Sequence, residues 1–185
     1  MIVRVAFQGE LGAFSETAIR QLWPDAAEPA PRREFDDVIQ AVLRGDVDAG
    51  VLPVENLIIG PIDASRTAID AAGDALVVVD ETVVKIFPLL LAVPGASLPD
   101  VRRVTSHPAA LAQCTGYLAA HPEWIVEPAY DTAGAARDLA ARGDRSTSVI
   151  AGDAAAARYG LTVLAHGIAD RADNATRFVV IVKKL

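Results

Sequence analysis

Short apolar runs rich in Val, Ile and Leu alternate along the chain with Ala-rich stretches whose apolar residues recur at helical spacing. The runs predict strands at residues 2–7, 49–52, 76–84, 89–93, 101–105, 148–151 and 177–182. The Ala-rich stretches predict helices at residues 13–22, 35–44, 62–72, 108–120, 133–142 and 154–159. Most of the strand runs are nearly continuous rather than alternating, which suits strands covered on both faces. Strands that alternate with helices predict βαβ units and a mostly parallel sheet. Gly45, Gly73 and Gly143 each follow a predicted helix, where a left-handed C-cap is wanted. Residues 94–99 form the most loop-like stretch, and no repeat or long linker interrupts the pattern. The expected fold is one α/β unit, or two lobes joined by crossing strands.

Composition narrows the function. The 185 residues are 52 % apolar and only 22 % charged, so the chain is not disordered. A net charge of −7 argues against nonspecific binding to nucleic acid or to an anionic membrane. The single cysteine, Cys114, excludes an internal disulfide and a cysteine-based metal cage. No apolar run reaches the roughly 18 residues of a bilayer span. The first residues form a strand rather than a basic segment followed by an apolar core, so a cytoplasmic location is expected.

Candidate chemistry collects at a few junctions. Ser15, Ser106 with His107, and Thr132 with Ala133 stand at predicted helix starts, where free N–H groups and the helix dipole attract carboxylates or phosphates. Ordinary N-capping accounts for the same residues. Asp131 is itself an anion and weakens the third of these sites. Glu55 and Asn56 lie just past a predicted buried strand, the place where open α/β sheets bind ligands. A polar turn accounts for them equally well. Arg177, at the entrance of the last strand, has the fork geometry to hold a carboxylate, although a surface salt bridge is the commoner fate of an arginine. Residues 9–12 lack both the third glycine of a dinucleotide fingerprint and the Lys-Ser/Thr of a P-loop. His107, His121 and His166 show no metal-ligand spacing.

In their order these segments resemble the catalytic domain of prephenate dehydratase and the similar arogenate dehydratase. The family's glycine-rich start stands here as residues 9–15, and its Glu-Asn-Ser motif as Glu55, Asn56 and Leu57. Its Ser-His-Pro and Gln-Cys segment is intact at Ser106, His107, Pro108, Gln113 and Cys114. Its Thr-Ala-x-Ala-Ala helix start begins at Thr132, and its late Tyr-Gly-Leu matches Tyr159, Gly160 and Leu161. Its Asn-x-Thr-Arg-Phe runs from Asn174 to Phe178. Leu57 replaces the motif's serine, and Phe87 with Pro88 stands where many members carry a histidine, so the pocket is expected to be less polar.

The resemblance implies a two-lobed α/β fold like that of periplasmic binding proteins, with the active site in the cleft between lobes. One lobe would hold residues 1–76 and 166–185, the other residues 77–165. It implies conversion of prephenate to phenylpyruvate, carbon dioxide and water, driven by aromatisation and needing no metal or cofactor. Thr176, Asn56, Gln113 and Glu55 would be catalytic. Arg177, Ser15, Ser106, His107, Thr132, Ala133 and Phe178 would bind substrate, with Arg177 the leading anchor for the pyruvyl carboxylate. A homodimer is implied. Most relatives continue into a regulatory ACT domain, for which this sequence has no room, so regulation is absent, carried by a separate chain, or lost with a trimmed end. Three rival readings stay open: an arogenate dehydratase, a prephenate decarboxylase that does not aromatise, and a ligand-binding sensor of the same fold.

Overall fold

The first predicted strand forms β1 (Val3–Gln8), with Val5, Ala6 and Phe7 fully buried. A computed structural model describes residues 2–184. After β1 come α1 (Phe14–Leu22), β2 (Ala27–Arg32), α2 (Phe35–Arg44), β3 (Ala49–Asn56), β4 (Gly60–Pro61), α3 (Asp63–Ala72) and β5 (Leu76–Lys85). Then follow β6 (Leu89–Ala92), β7 (Arg103–Ser106), α4 (Pro108–Ala112), α5 (Thr115–Ala119), β8 (Ile125–Pro128) and α6 (Thr132–Arg142). The chain ends with β9 (Thr147–Ala151), α7 (Asp153–Tyr159), β10 (Thr162–Ala165) and β11 (Ala175–Lys183).

The elements divide into two units. The first holds the chain up to Glu10, Phe14–Ile86 and the chain from Asp173 on. The second holds Leu11–Ala13 and Phe87–Ala172. The division expected from sequence falls instead at residues 76/77 and 165/166. At the first boundary the difference is β5, which pairs along its whole length with β11 and so stays in the first unit; at the second, the stretch up to Ala172 stays with the second unit, as Leu11–Ala13 do.

The sheet of the first unit has the order β2-β1-β3-β11-β5, with β4 paired to β3. Strands β1, β2 and β3 are parallel, while β11 runs antiparallel to both β3 and β5. The sheet of the second unit has the order β10-β6-β9-β7-β8, parallel at β7, β8 and β9 and antiparallel at β6 and β10. Both sheets are thus mixed, not mostly parallel. In the first, a strand that re-enters from a distant part of the chain inserts between β3 and β5 in the opposite sense.

Two helices on one face of the first sheet bury Val38, Val42 and Ala68 against Leu52, Val54, Val179 and Ile181. Strand alternation puts Phe178 on the other face, where α1 lies: Thr82, paired with Phe178, bonds Gln21 of α1. The core of the second unit gathers Leu90, Val104, Cys114, Trp124 and Ile150. The expected helix over 108–120 is two short helices, broken at Gln113 and Cys114. Strand β5 departs from expectation in burial: Val77, Val78, Val79 and Val83 are exposed on a sheet edge, although their run reads as a covered strand. Strands β2, β4, β8 and β10 were not expected from the sequence. Among the described residues, no helix is long and apolar enough to cross a membrane.

Candidate active site

In the first unit, Asn56 closes β3 and Thr176 is the second residue of β11, and the two are cross-strand partners. Both are buried, at 4 % and 7 % exposure. Asn56 Oδ1 accepts from the N–H groups of Ile58 at 2.9 Å and Ile59 at 3.1 Å, forming the turn into β4. That fixes the amide orientation and leaves Nδ2 to donate to Thr176 Oγ1 at 2.9 Å. The backbone on either side of Thr176 is pinned: Leu57 N–H donates to Ala175 O, and Ile86 N–H to Asn174 O, both at 2.9 Å. The Thr176 hydroxyl therefore accepts one bond, and its own proton has no protein acceptor among the described residues.

Ser15 lies in the first turn of α1, 8 % exposed, and its hydroxyl bonds no protein group among the described residues. The start of α1, the end of β3 and the start of β11 share one end of the sheet, beyond the carboxyl ends of the parallel strands. The side-by-side placement of Asn56 and Thr176, 120 residues apart, is the part of the expected constellation the structure brings together most closely.

Glu55 and Arg177 pair elsewhere. A one-residue bulge at Val54 puts Glu55 opposite Arg177 on the face that α2 and α3 cover, whereas Asn56 and Thr176 point to the α1 face. Arg177 Nη2 reaches Glu55 Oε2 at 3.1 Å and Nη1 reaches Glu81 Oε2 at 3.2 Å. The two carboxylates hold the guanidinium proton more firmly than usual. The expected anchor is thus already doubly paired, and adjacent residues of one strand cannot both face one substrate from the same side. Phe178 is 2 % exposed and belongs to the core rather than to a binding surface.

The second unit carries the remaining candidates. Ser106, fully buried at the end of β7, donates to Ile150 O at 2.5 Å, so its hydroxyl holds two strands together. His107 is exposed and caps α4 by accepting from Ala109 N–H through Nδ1, which puts its ring proton on Nε2. Gln113 is 8 % exposed, and its backbone carbonyl accepts from Asp170 N–H. Asp131 caps α6 by accepting from Gly134 N–H at 2.7 Å, so a protein carboxylate occupies the helix start that Thr132 and Ala133 were expected to offer. The glycine-rich start is constrained at Gly12: its φ is +94°, and a Cβ there would lie 3.0 Å from Ala155 Cα. Tyr159 hydroxyl donates to Leu11 O at 2.5 Å, which gives the late Tyr-Gly-Leu segment a structural tie to that start. Sequence reasoning missed the bulge and Glu81; the valines that flank Asp80 and Glu81 in an apolar run gave no sign of an ion pair. A cavity of about 310 Å³ is lined by Arg103, Thr105, Glu127, Tyr130, Leu139 and Arg142 among others, and no expected site residue lines it.

Residues 5–185 match the family model described as prephenate dehydratase. The chain is 39 % identical over 182 residues to arogenate dehydratase/prephenate dehydratase 2, chloroplastic, of Arabidopsis thaliana, covering 98 % of this chain and 47 % of that protein. It thus spans about half the length of the curated relatives it matches. It superposes on the crystal structure of prephenate dehydratase in complex with L-Phe from Arthrobacter aurescens with a TM-score of 0.88 and 33 % identity, covering 99 % of this chain and 61 % of that one. A nutrient binding protein from Burkholderia cenocepacia bound to methionine shares the fold at a TM-score of 0.53 and 11 % identity, over 98 % of this chain and 85 % of that one.

Proposed function

This chain belongs to the prephenate dehydratase family, and from that premise we propose that it converts prephenate to phenylpyruvate, with Thr176 donating a hydrogen bond to the departing hydroxyl. In that reaction the bond between the ring and its carboxylate breaks and its electron pair enters the ring. The bond to the opposite ring hydroxyl breaks as well, and the departing oxygen takes a proton from solvent to become water. Carbon dioxide and an aromatic ring result.

The observation that carries the reading is the unspent proton of Thr176. An alcohol is too weak an acid to surrender that proton freely, but a donor fixed in place before the reaction stabilises the charge that grows on the leaving oxygen. Asn56 makes Thr176 that donor by filling its acceptor side. Arg177's place on the other face also fits. The carboxylate that departs loses its charge in the transition state, so a fixed cation beside it would favour the substrate over the transition state. The retained carboxylate has a partner chemistry available in the unspent Ser15 hydroxyl and the N–H groups at the start of α1.

Arogenate offers the same leaving groups with an ammonium in place of the ketone, and the Arabidopsis relative is named for both activities. The test is turnover of each substrate by the purified protein, followed through phenylpyruvate or phenylalanine. Phenylpyruvate from prephenate supports the proposal. Phenylalanine from arogenate alone moves it to the second substrate, and tight binding without product replaces it with a sensor.

A further inference from the structure

We propose that Arg177 is a positioning residue: its bridge to Glu55 and Glu81 holds the bulge that turns Asn56 toward Thr176. The inference rests on the reading of Thr176 given above and adds what sets that hydroxyl in place.

The β3–β11 ladder runs in step from Gly50 opposite Ile181 to Pro53 opposite Phe178, and then Arg177 pairs with Glu55, leaving Val54 extra. Without the extra residue, strict alternation would put Leu52, Val54 and Asn56 on one face, the one covered by α2 and α3. With it, Val54 and Glu55 share that face, Val54 packing in the core and Glu55 meeting Arg177. Asn56 then falls on the face of Thr176. One residue of register therefore decides whether the donor pair exists.

Arg177 sits directly opposite the bulge. Its fork reaches Glu55 directly opposite on β3 and, diagonally, Glu81 on β5, which pairs with Val179, so one side chain links three neighbouring strands. Side-chain exposures of 39 %, 51 % and 61 % mean that neither pair alone contributes much to stability. Their value lies in geometry: a planar fork with two carboxylates fixes direction as well as distance. A third carboxylate, from a ligand, would have to compete with both.

The test compares Arg177→Met, Glu55→Ala and the double variant in the full chain. Arg177→Met is expected to lower kcat by about tenfold to a hundredfold, the cost of a misplaced reacting group, with KM within about twofold. The double variant should lose no more than the worse single one, because both changes break one device. In the substrate-free protein, the amides of Ile58 and Ile59, which bond Asn56 Oδ1, should exchange hydrogen faster in Arg177→Met. A KM raised about tenfold or more with kcat kept would make Arg177 a substrate anchor and overturn the inference. So would unchanged kcat, KM and exchange together. If Arg177→Met does not fold, Arg177→Lys carries the same comparison, with a smaller fall in kcat expected and a rise in KM alone again contrary. If the unaltered protein turns over neither substrate, the proposed function fails, while the exchange at Ile58 and Ile59 still decides the inference.

Discussion

Asn56 Nδ2 donates to Thr176 Oγ1 at 2.9 Å, joining the end of one strand to the start of another across 120 residues of sequence. The bond has a direction, because Oδ1 is already occupied by two backbone donors. Asn56→Asp keeps the shape and the turn but offers Thr176 an acceptor instead of a donor. The threonine proton is then drawn toward the new carboxylate and away from a substrate. We expect kcat to fall about tenfold to a hundredfold, in the range of a lost transition-state donor. Circular dichroism should show the fold retained. An Asn56→Asp protein with unaltered kcat would contradict the assigned direction.

Ser106 stands in the segment that most resembles a binding motif, yet its hydroxyl is buried and bonded to the Ile150 carbonyl. Ser106→Ala leaves that acceptor unmet and should cost about 1–3 kcal/mol in urea unfolding. KM for the substrate should stay the same in the surviving folded protein. A raised KM with undiminished stability would return Ser106 to the substrate contacts.

Acid stability has a local source in the second unit. Thr115's hydroxyl and the N–H of Gly116, with that of Thr115, hold the Asp170 carboxyl below the usual carboxylate range. Since the folded value lies below the unfolded one, the ionised form favours folding. The contribution is complete above the ordinary value of about 3.9 and is lost as pH falls through the lower folded value. Asp170→Asn should therefore destabilise the protein at neutral pH and flatten the acid limb of a plot of urea midpoint against pH. Parallel curves for the two proteins would show that Asp170 plays no such part.

The outline of the fold was legible in the sequence because periodicity carries it. The runs at 49–52, 89–93 and 177–182 and the helix at 35–44 lie where expected. Strand β2 escaped notice because Pro29 and Pro31 break the pattern of a strand, yet a strand at the edge of its sheet tolerates them. Strand β5 was recognised but its burial misjudged: a run of valines looks the same on a sheet edge as in a sheet centre. At the site, the residue types at 55–56 and 176–177 drew attention for their chemistry. Their pairing did not follow from sequence, because a bulge at Val54 changes which neighbours share a face. Arg177 was thus read as an anchor, whereas two carboxylates already hold it.

The central claim is that Thr176 acts through its donated proton, and steady-state turnover of prephenate by Thr176→Val against Thr176→Ser tests it most directly. Valine keeps the shape and removes the hydroxyl, and serine keeps the hydroxyl. The account predicts a loss of kcat of about a hundredfold to a thousandfold for valine and of less than about tenfold for serine, with both proteins folded. Valine turnover close to that of the unaltered protein would contradict it.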